Sequence, residues 1–160
     1  MISLPEALRL EEWDVVTVQQ ASPLSGIMDS YEPWLGRLIQ AVRAACPGAE
    51  ILLHRTWAYD VGSEHPGFVH YGRNQEEMFR AICTATTAAA EKYGLRVIPA
   101  GDAVQRARLL PEFHIESGGL SLTRDGYHLS LDYGRYLAAL VWYHSLTGRG
   151  TQEVCFAPEG

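Results

Sequence analysis

The sequence predicts an α/β domain with a parallel sheet and helices on both faces. Three observations carry this. Short apolar, β-branched runs alternate with helical patterns, in the order strand, helix, strand, helix, strand, helix, helix. The runs lack regular polar alternation, as strands buried on both faces do. Polar and aromatic residues gather just after each run, at the carboxyl strand ends where such folds hold ligands.

Each element follows from local pattern. Residues 5–12 suggest a short helix with Pro5 at its start. "WDVVTVQQ" (13–20) reads as a first buried strand, and "ASPLSG" (21–26) as a loop. In "YEPWLGRLIQAVRAAC" (31–46), Leu35, Leu38, Ile39 and Val42 share a helical face, and Pro47-Gly48 ends the helix. "AEILLHRTWAY" (49–59) is a second buried strand running into irregular chain. Residues 60–74 form a long Gly- and Pro-containing loop, of a length often functional. Residues 74–94 are helical, with Asn74 as N-cap, Glu77 three residues on, and Gly94 as the stop. "LRVIPAG" (95–101) is a third strand, and "DAVQRARLL" (102–110) a short helix capped by Asp102. A loop (111–124) leads to "DGYHLS", with Ser130 placed to cap the apolar helix 131–148.

The totals exclude several classes. At 160 residues the chain suits one domain, placed at 1–148 with a tail at 149–160. A net charge of −6 with no Lys/Arg block argues against nucleic acid, which needs a basic footprint. Cys46, Cys83 and Cys155 are odd in number and far apart, so they read as free thiols. The acidic start "MISLPEALRLEEWD" has no apolar leader core, and no apolar run approaches the roughly 18 residues of a membrane span. A cytoplasmic location is the default expectation, open if an N-terminal signal has been lost. No Gly-rich phosphate loop is present, so no cofactor is expected. His65 and His70 with Asp60 and Glu64 match no standard zinc spacing.

The chemistry-bearing pattern is Asp125-x-x-His128. A histidine can take a proton from a hydroxyl nucleophile and return it to a leaving group, while a neighbouring carboxylate fixes its tautomer. The spacing alone is weak, because a turn aspartate beside a surface histidine gives it too. Ser22 and Ser25 lie after the first strand, near the expected site, as candidate substitute nucleophiles, with Ser22 also a pocket candidate; turn bonding is their simpler role. His54 and Trp57, with Tyr59, end the second strand and are candidate pocket residues. Asp132 and Arg135 read as solvated charges, and Trp142 and Tyr143 as packing residues.

"DGYHLS" (125–130), followed by a Gly-containing apolar helix, resembles the last sequence block of the SGNH/GDSL hydrolases. "EEWDVVTVQQASPLSG" (11–26), "YEPWLGRLI" (31–39), "ILLHRTWAYD" (51–60) and "RVIPAGDAV" (96–104) resemble, in that order, one bacterial branch of that superfamily, the DUF4886 family. The resemblance covers roughly residues 5–148. It implies a flavodoxin-like three-layer sandwich, Asp125 and His128 as triad acid and base, and Gln20 as a side-chain donor to the oxyanion. Gln19 is the lesser candidate, since alternation along the strand turns it to the other side. The implied activity is a serine esterase acting on small acyl esters, carbohydrate esters among them.

Family members begin with a strand ending in a Gly-x-Ser turn that carries the nucleophile, and nothing of this kind precedes Trp13. The resemblance therefore implies a domain lacking the first strands, inactive until a serine segment is restored. It also implies that residues 14–19 form a bare apolar edge, open to a second copy or a partner segment. The competing expectation is a non-catalytic remnant, or half of a split assembly that binds its partner through that edge.

Overall fold

The structure, a computed structural model, describes residues 2–156. Three strands, β1 (Val15–Val18), β2 (Glu50–His54) and β3 (Arg96–Ile98), form a parallel sheet in that order. The register sets Val18 beside Leu53 and Leu53 beside Val97. Alternation along each strand then gives the sheet two apolar faces.

One face carries α2 (Trp34–Ala45) and α3 (Gln75–Tyr93). Leu35, Ile39 and Val42 from α2 meet Ala85, Ala89 and Ala90 from α3 over Val18, Ile51 and Leu53. The alanines let α3 lie close to the sheet. Asn74 caps α3, its Oδ1 accepting from Glu77 N at 3.0 Å, and Gly94 ends it at φ 64°. Such a cap contributes about 1 kcal/mol. The short α1 (Leu4–Leu8) packs on α2 through Leu8. The other face carries α5 (Tyr133–Thr147), packed on β3 and on α4 (Ala100–Ala107). The result is a three-layer α/β sandwich.

Two smaller clusters support the region beyond the strand ends. Tyr59, Phe68, Tyr71, Met78 and Ile82 pack beneath the 60–74 segment, and Val104, Leu122 and Leu129 join Trp57 and Leu137 under the chain that follows α4. The 60–74 segment is therefore built rather than loose, with a 3₁₀ turn at Pro66–Tyr71.

Several boundaries differ from expectation. The first helix stops at Leu8, because residues 9–14 are mostly charged and exposed and have no apolar face to bury. Only Val18 of β1 is buried, since among the described residues that strand has a neighbour on one side alone. The helix expected from Asp102 begins at Ala100. Gly101 allows this, for a Cβ there would lie 2.0 Å from Thr56 O, while Gly101 N donates to Arg55 O at 3.0 Å. Asp102 sits within that first turn and pairs with Arg55 through both oxygens, at 2.9 and 3.0 Å. Ser130 does serve the start of α5, its Oγ accepting from Gly134 N at 2.9 Å, although Asp132 holds the N-cap position. The tail reaches one 3₁₀ turn at Thr151–Glu153, and residues 157–160 lie outside the described residues. Among the described residues, no helix is long and apolar enough to cross a membrane.

Candidate functional site

Residues 122–130 fold back on themselves. Thr123 and Leu129 form an antiparallel bridge, Arg124 N donates to His128 O at 2.9 Å, and Ser130 N donates to Leu122 O at 2.9 Å. The tip of this hairpin holds Asp125 and His128. Gly126 takes φ 86°, a left-handed conformation that glycine adopts without strain.

Asp125 organises the tip with both oxygens. Its Oδ1 accepts from Tyr127 N at 3.2 Å and His128 N at 2.7 Å, and its Oδ2 meets His128 Nδ1 at 2.7 Å. Desolvation raises the Asp125 pKa, but the bonds from the His128 ring and the two backbone N–H groups outweigh it. Together they bring the carboxyl from its ordinary 3.8 down to about 2. The carboxylate is then an acceptor only, so Nδ1 carries a ring proton, and the Nε2 of a neutral ring is the nitrogen with the lone pair. The His128 side chain is 55% exposed and so open to solvent.

The hairpin is fastened to the chain leaving the carboxyl end of β2. Trp57 Nε1 donates to Tyr127 O at 2.7 Å, and Asp60 N donates to Gly126 O at 2.8 Å. The Asp60 side chain is 6% exposed, and its carboxylate pairs with the buried Arg108 and accepts from Ser121 Oγ at 2.6 Å and Thr123 Oγ1 at 2.5 Å. Arg108 also donates to Ala58 O at 3.0 Å. Burial lowers the Arg108 pKa, and Asp60 opposes that shift. Sequence reasoning missed Asp60 in this role; among the described residues, no group of three His, Cys, Asp or Glu side chains could hold a metal.

The other candidates sit at varied distances from the pair. A run of rings leads away from it: Tyr127 lies 4.4 Å from His128 by centroid, His65 lies 4.7 Å from Tyr127, and Tyr59 lies 4.6 Å from His65. Ser22 joins this run, its Oγ 2.9 Å from Tyr59 OH. Burial raises the Tyr59 pKa, so its hydroxyl stays protonated. His54 lies deeper, 6% exposed, against Trp57 and Trp142. Its Nδ1 donates to Gln19 Oε1 at 2.8 Å, its Nε2 has no partner, and desolvation pushes its pKa from 6.5 to about 4. Gln20 points elsewhere. Its Nε2 donates to Ser30 O and Ser30 Oγ, each at 3.0 Å, and its Oε1 accepts from Ala21 N at 2.8 Å.

The sequence as a whole matches one family model, DUF4886, a domain of unknown function, over residues 1–160. The chain belongs to the DUF4886 family. A DUF4886 family protein from Bacteroides uniformis ATCC 8492 superposes with a TM-score of 0.90 at 42% identity, covering 99% of this chain and 60% of that one. The present chain thus spans 60% of the length of that relative. A candidate SGNH hydrolase from Slackia heliotrinireducens superposes at 0.65 with 26% identity, covering 88% of this chain and 69% of that one. The DUF4886 fold lies within the SGNH hydrolase superfamily, and this domain is hydrolase-like in architecture. No curated protein matches.

Proposed function

We propose that this DUF4886 domain supplies the acid and base of an ester hydrolase, and that a segment pairing along the outer edge of β1 carries the serine they serve. One observation carries the reading. A charged carboxylate holds an exposed imidazole by its Nδ1, 2.7 Å away, on a hairpin fastened beyond the carboxyl end of β2. Asp125 orients and His128 reacts.

In this scheme the serine Oγ attacks the ester carbonyl carbon while His128 Nε2 takes the hydroxyl proton. The C–O bond to the alcohol then breaks, and the proton passes from Nε2 to the departing oxygen. A water molecule repeats the sequence on the acyl group, releasing the acid and regenerating the serine. Asp125 stays ionised and stabilises the imidazolium. Gln20 is the proposed side-chain donor to the oxyanion, a role that requires its NH2 to exchange Ser30 for the substrate. The proposed substrates are small acyl esters, carbohydrate esters included, supported by the half-buried ring of Tyr127 beside His128 and that of Trp57 bonded to Tyr127 O. Ser22 and His54 line the surroundings rather than the reacting centre.

The open edge supports the location of the serine segment. Glu50 N donates to Asp14 O at 2.9 Å, so Asp14, Val16 and Val18 turn their backbone groups toward β2. Val15 and Thr17 therefore present theirs outward. The same edge favours a second reading, in which the domain is a non-catalytic remnant or half of a split assembly that only binds a partner there.

One test separates the two. The part of the Bacteroides uniformis protein outside the matched region is joined to this chain, and p-nitrophenyl acetate hydrolysis is followed. Turnover that falls about 10⁴-fold in Asp125→Asn supports the hydrolase. Turnover indifferent to His128→Ala, or none in a folded hybrid, rejects it.

A further inference from the structure

We propose that Asp60 is a positioning residue for the Asp125–His128 pair, holding the hairpin in the one pose that presents His128 Nε2 outward. This inference rests on the acid–base reading of that pair.

The pair is exposed and has little packing of its own, so something else must fix its pose. Three points of the hairpin converge on Asp60. The side chains of Ser121 and Thr123 donate to its Oδ2, and Gly126 O accepts from its backbone N–H. Its Oδ1 meets the Arg108 guanidinium, which binds Ala58 O as well. Ser121 Oγ further accepts from Thr123 N at 2.9 Å, tightening the strand that enters the tip.

Only a carboxylate fits this position. It accepts on both oxygens at once, from a cation on one side and two hydroxyls on the other. An amide must turn its NH2 toward either Arg108 or the hydroxyls, and it loses one side of the clamp. A buried ion pair is weak support for stability, since packed apolar residues serve as well or better. Rigid placement of the hairpin is what this ion pair adds.

The test reads the His128 tautomer directly. Ring ¹⁵N spectra of the whole chain are recorded at mildly alkaline pH for the parent, Asp60→Asn and Ser121→Ala. The parent is expected to show a protonated Nδ1. Both variants are expected to lose that preference, giving a mixture with protonated Nε2, while circular dichroism stays native. Val42→Ala, in the core on the far side of the sheet, lowers the melting temperature without moving the tautomer. Should Asp60→Asn fail to fold, Ser121→Ala decides. A folded variant that keeps Nδ1 protonated as in the parent overturns the proposal. The readout needs no ester hydrolysis: an inactive hybrid with a shifting tautomer removes the esterase reading and leaves the role of Asp60 intact.

Discussion

Gly134→Ala tests how tightly the hairpin is seated on α5. Helix propensity alone favours the change, because alanine in a helix is better than glycine by about 1 kcal/mol. The structure reverses that sign. A Cβ at Gly134 would lie 2.2 Å from Leu122 O, 3.0 Å from Ser130 Oγ and 3.1 Å from Leu129 Cβ. The first contact is with backbone, and Leu122 O already accepts from Ser130 N at 2.9 Å. Relief needs a displacement of roughly 1 Å, and overpacking of this kind costs about 1–3 kcal/mol. Loss of the Ser130 bond adds about 1 kcal/mol. With the propensity gain subtracted, Gly134→Ala is expected to destabilise by about 2 kcal/mol. In a chain of this size that lowers the melting temperature by about 4–8 °C. Thermal unfolding by circular dichroism, checked by urea titration, measures it. A melting temperature equal to or above the parent's refutes the reasoning.

Other expectations follow from the same geometry. His54 has a folded pKa of about 4 against 6.5 unfolded, so the unfolded chain binds the extra proton between those values. The stability held by neutral His54 is complete above pH 6.5 and is lost as pH falls toward 4, by a total on the order of 3 kcal/mol. Urea unfolding across that window should show the slope, and His54→Gln should flatten it; an unchanged slope counts against the burial argument. Val15→Pro removes an outward donor at the first residue of β1 without touching the ladder to β2, so it should weaken self-association or partner capture in sedimentation while leaving the melt near the parent's. Trp57→Phe keeps the ring but removes the bond to Tyr127 O, and should speed amide exchange at the hairpin tip; exchange as slow as the parent's means that bond is idle.

What the sequence made legible was mostly local. Asn74 and Gly94 bound α3 through groups at most a few residues away, and both act as their residue types suggest. Asp125 and His128 are three residues apart, so one turn suffices to bring them together. Asp60 was hidden because Ser121 and Thr123 stand 61 and 63 residues further on, and nothing near "AYD" announces them. The start of α4 was misjudged for a related reason: Asp102 looked like a cap, but the close approach of Gly101 to Thr56 O sets the boundary. The direction of Gln20 depends on where the irregular 21–30 segment brings Ser30, which no periodicity encodes.

The hairpin tip and its anchor also belong to different moments of folding. Closing the turn between Asp125 and His128 involves a handful of residues and little loop entropy, whereas joining Asp60 to Ser121 closes a loop of some 60 residues. Contacts of long sequence separation are slow to form. On the proposed reading, the turn that carries Asp125 and His128 therefore closes early but wanders, and the two side chains are locked together and aimed only when the sheet and the 57–63 segment have come together. The same order runs backwards in the native protein. On the proposed reading, a release of the Asp60 clamp loosens the tip while the strands stay paired, so that His128 loses its aim before the domain unfolds.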